Sequence, residues 1–151
     1  MYCVALDPGG TTGFAIIPNE RTPWHIEVLQ LGPEEHHAQL FRQLTIWKPT
    51  ILLVESFENT GQVAADLAAR EYIGICKAYA QAARDCTPHS QHAATAKAFW
   101  NDEKLRDYGL YVPRQRHARD AIRHYLYYRT FKCADQSLLK RESTGQIRLA
   151  A

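Results

Sequence analysis

The sequence lacks the features that mark secreted, membrane-embedded or zinc-binding proteins. Its four cysteines, at positions 3, 76, 86 and 133, form no C-x-x-C pair, which excludes a zinc framework and predicts reduced thiols. No window holds the ~18 consecutive apolar residues of a transmembrane helix. The N-terminus has neither a basic n-region nor a small-residue cleavage site, so we expect no signal peptide and a cytoplasmic location. There is also no internal repeat, and 151 residues predict a single globular domain.

Charge is unevenly distributed although the formal net charge is only +2. Residues 1–96 carry six Lys and Arg against ten Asp and Glu, a net charge of −4. Residues 97–151 carry twelve against six, a net charge of +6. Such asymmetry indicates a polyanionic partner such as nucleic acid, although a basic face is often only solvated surface.

The order of the predicted elements indicates a mixed α/β fold. Residues 2–7, 13–18 and 24–31 read as strands joined by short links, which favours an antiparallel meander. A helix from Pro33 to about Trp47 then leads to a strand at 51–55, and such a crossover predicts a strand parallel to the first strand or to a near neighbour of it. A long helix at 61–84, a short strand at 86–89, a helix at 91–100 and a short helix capped by Asp102 and closed by Gly109 follow.

The last predicted helix spans about 117–131 and is amphipathic. We therefore expect one five-stranded sheet, first antiparallel and then parallel, with helices on both faces, within a domain of residues 1–131. Residues 132–151 form a polar, basic tail that is predicted to be flexible unless Leu138 and Leu139 dock on the domain.

Acidic side chains stand at the ends of two apolar strands and at the start of the last helix. Asp7 ends the first strand and Glu55 the fourth, so adjacent parallel strands would place their backbones ~4.8 Å apart. His117 and Asp120 are three residues apart and share one helix face. Buried carboxylates cost free energy unless they are paired or bind a cation. This pattern predicts an active site that holds two Mg²⁺ ions and hydrolyses a phosphodiester. His117 would either bind one of these ions or position the attacking water.

Each of these residues also has an ordinary structural interpretation. Asp7 lies in DPGG, a favourable turn sequence. Glu55 can be satisfied by a neighbouring hydroxyl or lysine. Asp120 suits the first turn of a helix because of the helix dipole, or it can pair with Arg116 or Arg123, and His117 can be the N-cap of that helix.

Three ordered motifs resemble the RuvC-type Holliday junction resolvases of the RNase H-like superfamily, in a compact form like those of phages. The opening motif is Leu6-Asp7-Pro8-Gly9 followed by Thr12-Gly13. Val54-Glu55-Ser56 resembles the second motif. His117-Ala118-Arg119-Asp120-Ala121 resembles the closing motif, and the resemblance covers roughly residues 1–130.

The resemblance implies a homodimer that cuts four-way DNA junctions with Mg²⁺, for which Mn²⁺ is expected to substitute. It implies two symmetric nicks that leave 5′-phosphate and 3′-hydroxyl ends, with roles in DNA recombination and repair. The metal ligands would be Asp7, Glu55, His117 and Asp120. If the chain is encoded by a phage, its location is the host cytoplasm.

The same resemblance and the basic half of the chain suggest residues that contact DNA. Phe57 follows the second motif, where the family carries its junction-probing loop, and it would stack on or wedge between bases, or else simply pack under the next helix. The helix at 61–84 corresponds to the dimer-forming helix of the family, although core packing explains its alanines equally. The candidates for phosphate contacts are Lys97, Lys104, Arg114, Arg116, Arg119 and Arg123.

Three alternative functions stay open at the level of the sequence. The first is a related nuclease that acts on other branched DNA, flaps or RNA–DNA hybrids. The second is a non-catalytic DNA-binding module on the same fold. The third is an ATPase, because DPGGTTG resembles the first phosphate loop of the actin-like fold, but that fold needs a second domain and a second phosphate loop.

Overall fold

A computed structural model describes residues 3–19, 21–22, 24–32, 36–56, 63–139 and 146–149. The described strands form one sheet in the order β5-β4-β1-β2-β3-β6. Its strands are β1 (Cys3–Asp7), β2 (Thr12–Ile17), β3 (His25–Leu31), β4 (Ile51–Ser56), β5 (Thr87–His92) and β6 (Gln146–Leu149). The first three strands are antiparallel, whereas β4 runs parallel to β1 and β5 parallel to β4. The predicted mixed sheet is therefore confirmed, with one strand more than expected.

Five α-helices accompany the sheet in the described part of the chain. They are α1 (His36–Trp47), α2 (Val63–Ala82), α3 (Ala93–Phe99), α4 (Asp102–Asp107) and α5 (Arg116–Tyr127). A π-helix at Tyr128–Lys132 continues α5, and a 3₁₀ helix covers Gln136–Leu139. None of these helices is long and apolar enough to cross a membrane.

Alternation along the central strands produces a hydrophobic core on each face of the sheet. Cys3 and Ala5 of β1 face the core that α5 covers, whereas Val4 and Leu6 face the core under α1 and α2. Successive side chains of a strand point to opposite faces, so the four apolar residues of β1 serve both cores. Helices thus cover both faces, as predicted.

Several boundaries differ from the sequence-based expectation. The strand β5 reaches His92, so Gln91 lies in a strand and not at the start of a helix. The cap of α4 is Asn101, whose side chain accepts a hydrogen bond from the backbone N–H of Lys104, and Asp102 is the first helical residue. Gly109 has a φ of 68°, consistent with its predicted place after that helix.

The end of the chain adds an edge strand that the sequence pattern did not indicate. Residues Gln146–Leu149 pair in parallel with β3, although the polar composition of residues 132–151 suggested a flexible tail. A strand at a sheet edge needs only one neighbour and little apolar surface, and Leu149 is indeed 63% exposed. Predicted features at residues 33–35, 57–62 and 140–145, among them Phe57 and the start of the helix at Pro33, lie outside the described residues.

Candidate active site

A row of polar residues crosses the sheet beneath α5. Asp7 pairs with Gly13 and Gly13 with Gln30. Leu6 pairs with Val54, which places Asp7 beside Glu55, and Glu55 pairs with Gln91. Strand parity turns these positions toward α5, because Ala5 and Leu53, two residues earlier on their strands, belong to the core on that face.

The first turn of α5 lies directly on this row. A Cβ atom on Gly13 would stand 2.0 Å from the carbonyl carbon of His117, so only glycine permits the approach. Gln115, the N-cap residue, makes no side-chain cap hydrogen bond. Instead, Oε1 of Gln30 on β3 accepts from the backbone N–H groups of His117 (3.1 Å) and Ala118 (3.3 Å). The alternative interpretation of His117 as the N-cap is therefore wrong, and its side chain faces the sheet.

Asp7 is buried between a histidine and a second carboxylate. Its side chain is bound by Nδ1 of His117 at 2.7 Å, and it shares a hydrogen bond with Glu55. Burial raises the pKa of Asp7 to about 6, against the lowering effect of the hydrogen bond from His117, and the charges of Glu55 and Asp120 raise it further. The hydrogen bond to Asp7 raises the pKa of His117 despite partial burial.

Asp120 completes the acidic cluster from the α5 side. Its side chain is only 3% exposed, and the Nζ atom of Lys97 on α3 lies 3.1 Å from its Oδ2 and 3.8 Å from Oε2 of Glu55. The Lys97 ammonium thus stands between two of the three carboxylates. Burial acts to raise the pKa of Glu55, but the hydrogen bond and charge of His124 and the charge of Lys97 lower it below its usual value.

Two residues at this site were missed by the sequence analysis. His124 is fully buried on α5, with Nε2 2.8 Å from Oε2 of Glu55 and Nδ1 3.2 Å from Oε1 of Gln91. His124 follows Asp120 by four residues and His117 by seven, which places all three on one helix face. That spacing was the available signal for His124, whereas the pairing of Gln91 with Glu55 depends on the sheet register.

The structure separates the predicted DNA-contacting residues into two groups. Arg114 and Arg116 are exposed just before His117, and Lys97 is partly exposed at the acidic cluster. Three others are engaged in contacts within the protein. These are Lys104, which donates to the carbonyl of Phe99 at 2.7 Å, Arg119, which donates to the carbonyl of Val112 at 2.8 Å, and the buried Arg123.

Arg123, a predicted phosphate contact, is bound on several sides within the protein. Its guanidinium binds Asp120 and Asp102, and its Nε donates to the carbonyl of Trp100 at 2.7 Å. A planar guanidinium with several donors suits such a buried junction of carboxylate and carbonyl groups. Arg123 therefore holds Oδ1 of Asp120, whereas Lys97 lies against Oδ2 of the same carboxylate.

The donor set of this cluster fits a hard divalent cation. Three carboxylates converge, two of them share a hydrogen bond, and an ammonium group already occupies the position between Glu55 and Asp120. Oxygen ligands of this kind are those that Mg²⁺ prefers. Among the residues described, however, no three Asp, Glu, His or Cys side chains have the spacing of a ready-made metal site. Cation binding would therefore require Lys97 and the His117–Asp7 bond to give way.

Comparison with known proteins identifies the fold. No family model matches the sequence, and no curated protein shows significant similarity to it. RuvC of Thermus thermophilus, in complex with a Holliday junction substrate, aligns with a TM-score of 0.66 and 18% identity over 89% of this chain and 97% of that chain. The fowlpox virus Holliday junction resolvase aligns with a TM-score of 0.56 and 13% identity over 85% and 97%. The expected RNase H-like fold of the RuvC type is confirmed.

Proposed function

We propose that this protein is a Mg²⁺-dependent endonuclease that resolves four-way DNA junctions. The observation that carries the proposal is the convergence of Asp7, Glu55 and Asp120 at the first turns of α5, with the ammonium group of Lys97 between Glu55 and Asp120. Two of these acids, Asp7 and Asp120, are buried, and carboxylates that cluster with perturbed pKa values are typical of functional sites. The fold supports the substrate class, because it is shared with a RuvC structure that holds a Holliday junction.

Asp7, Glu55 and Asp120 would hold the metal ions, together with His117. Asp7 is central in the row and has both Glu55 and His117 as neighbours, so it would be the central ligand of the metal site. At such sites divalent ions activate the attacking water and stabilise the departing 3′-oxygen. Hydrolysis adds water to phosphorus and breaks the P–O3′ bond, which leaves a 5′-phosphate and a 3′-hydroxyl.

The basic residues around the cluster have distinct tasks in this proposal. Lys97, once displaced from between Glu55 and Asp120, is placed to meet the scissile phosphate. Exposed Arg114 and Arg116 bind flanking phosphates, which positions the duplex arms without reading bases. His117, whose Nδ1 lies 2.7 Å from Asp7, would join the metal ligands once that bond is released.

A four-way junction has two equivalent scissile strands, so two symmetric nicks call for two active sites. A homodimer with two-fold symmetry supplies them, because each site then meets an equivalent strand. Sedimentation of the free protein and of its junction complex tests this part of the proposal. A monomer in both would contradict it without affecting the assignment of the active site.

The decisive test compares four DNA substrates and two matched variants. Wild-type protein with Mg²⁺ or Mn²⁺ is incubated with a four-way junction, a linear duplex, a flap and an RNA–DNA hybrid. We expect paired nicks in the junction only. Asp7→Asn removes the charge with little change of shape, so junction binding should persist while cleavage falls by orders of magnitude. Asp85→Asn, at an exposed aspartate outside the cluster, is the control and should cut normally.

Three outcomes would overturn parts of the proposal. Normal cutting by Asp7→Asn would remove this residue from the site. Preferred cleavage of flaps or hybrids would keep the nuclease but change its substrate. Salt-dependent junction binding without nicking by the wild type would indicate a non-catalytic DNA-binding module.

A further inference from the structure

His124 is a buried histidine whose two ring nitrogens both contact residues of the sheet. Its side chain is 0% exposed, and it meets Glu55 on β4 and Gln91 on β5. From His117 to His124 the helix rises about 10 Å, or about two turns, so both side chains lie on the helix face that meets the sheet. The helix therefore places one histidine on Asp7 and the next on Glu55, each against a different carboxylate.

The hydrogen bond to Glu55 has a defined direction. A carboxylate only accepts, so Nε2 of His124 carries the hydrogen and donates to Oε2 across 2.8 Å. Gln91 holds the opposite side of the ring at 3.2 Å. The buried Nε2 of Gln91 has no hydrogen-bond partner among the described residues, and a 180° turn of this amide would give it Nδ1 of His124 as acceptor. With either end of the amide toward the ring, Gln91 fixes the ring plane.

Glu55 has neighbours that compete for its carboxylate. Asp7 shares a hydrogen bond with it, and Lys97 lies 3.8 Å from the same oxygen that accepts from His124. Without His124, the side chain would be free to turn toward Lys97 or Asp7. A group fixed at one oxygen by a rigid, buried donor keeps its remaining lone pairs aimed in one direction.

We propose that His124, braced by Gln91, is a positioning residue that orients the carboxylate of Glu55 toward the cation site. The proposal rests on the proposed function only in assigning a cation to that site. Hydrogen-bonded groups behind metal ligands of other proteins change metal affinity by about 10–100-fold when they are removed. We expect the affinity for a divalent cation to fall by a factor of that order when the Nε2 donor of His124 is removed.

Two amide substitutions separate positioning from packing. The amide nitrogen of Gln reaches the place of Nε2, whereas that of Asn reaches only the place of Nδ1. His124→Gln should therefore keep the bond to Glu55, and His124→Asn should lose it, although both leave a polar side chain of smaller volume. His37 offers a matched control, because its Nε2 lies 2.9 Å from Glu71 in an exposed pair.

Affinity for Mn²⁺ alone, measured by calorimetry without DNA, is the main readout, and thermal unfolding is recorded for every variant. We expect His124→Asn to bind Mn²⁺ about 10–100-fold more weakly. His124→Gln should stay within about threefold of the wild type, and His37→Asn should match it. Equal Mn²⁺ affinity in folded His124→Gln and His124→Asn would overturn the proposal.

A spectroscopic measurement decides the matter if His124→Asn does not fold. In ¹⁵N-labelled wild-type protein, the Nε2 resonance of His124 should show a bound, slowly exchanging hydrogen that shifts in Glu55→Ala. An unchanged resonance in Glu55→Ala would refute the contact on which the proposal depends. A wild type that binds Mn²⁺ but cuts no junction would contradict the proposed substrate and leave the positioning role intact, whereas a wild type that binds no Mn²⁺ would end both.

Discussion

Gly13→Ala is the smallest change that tests how α5 meets the sheet. An alanine Cβ would lie 2.0 Å from the carbonyl carbon of His117, 2.2 Å from its oxygen and 2.4 Å from the nitrogen of Ala118. All three are backbone atoms, so no side chain can rotate out of the way. Ordinary contact begins at 3.4 Å, which means that the start of α5 must move away by more than 1 Å.

The loss of folding free energy caused by that movement follows from the contacts that it strains. Overpacking in a core costs about 1–3 kcal/mol. The two backbone hydrogen bonds to Gln30 and the bond between His117 and Asp7 would also stretch, at a cost of up to about 1 kcal/mol each. We therefore expect Gly13→Ala to lower the free energy of unfolding by about 3 kcal/mol or more. For a chain of this length that corresponds to a fall in Tm of roughly 6–12 °C.

Urea and thermal unfolding measure the stability, and junction nicking measures the site. Nicking should fall more than stability alone explains, because His117 and Asp120 move with the helix. Gly74→Ala is the control, since nothing lies within 4 Å of a Cβ at that exposed position of α2, and alanine there should add up to about 1 kcal/mol of stability. If Gly13→Ala unfolds and cuts like the wild type, the close approach of α5 to β2 is wrong.

Two further predictions concern the charges buried under α5. Burial raises the pKa of Asp7 to about 6, whereas the unfolded chain releases this proton near pH 4. Between these two pH values the folded protein holds a proton that the unfolded chain has lost. The free energy of unfolding therefore falls as the pH rises from about 4 to about 6. In EDTA, Asp7→Asn should therefore be more stable than the wild type above pH 6, by up to about 3 kcal/mol, and nearly equal to it in stability near pH 4. Urea unfolding across this pH range measures the difference. A variant that is less stable than the wild type at pH 8 would contradict the prediction. Arg123→Met leaves buried Asp120 without its guanidinium partner and should lower the free energy of unfolding by about 3–5 kcal/mol. Arg116 is exposed on the same helix, so Arg116→Met should change stability by under about 0.5 kcal/mol. Similar unfolding curves for the two variants would refute the structural role of Arg123.

Local pattern was sufficient to locate the main strands and the acids at their ends. Apolar runs ending in Asp7 and Glu55, with a helical crossover between them, determine a parallel pair whose ends meet. The pattern within α5 likewise predicts its buried face. These features depend on neighbours in sequence, on strand parity and on helical spacing, so they can be read from the chain itself.

The partners of the site residues could not be predicted in the same way. Arg116 and Arg123 look alike in sequence, yet the first is exposed and the second is buried between Asp120 and Asp102. The roles of Gln30 and Gln91 follow from their register opposite Gly13 and Glu55, which is set by pairing across the whole sheet.

The sequence by itself thus determined the order of elements and the candidate carboxylates, because both arise from contacts within a few residues. Only the tertiary structure decided that Gln30 caps α5, that His124 holds Glu55 and that a last strand pairs with β3. Each of these contacts joins residues that lie far apart in the chain. Their free energy exists only after folding has brought the two sides together, so no local pattern records them.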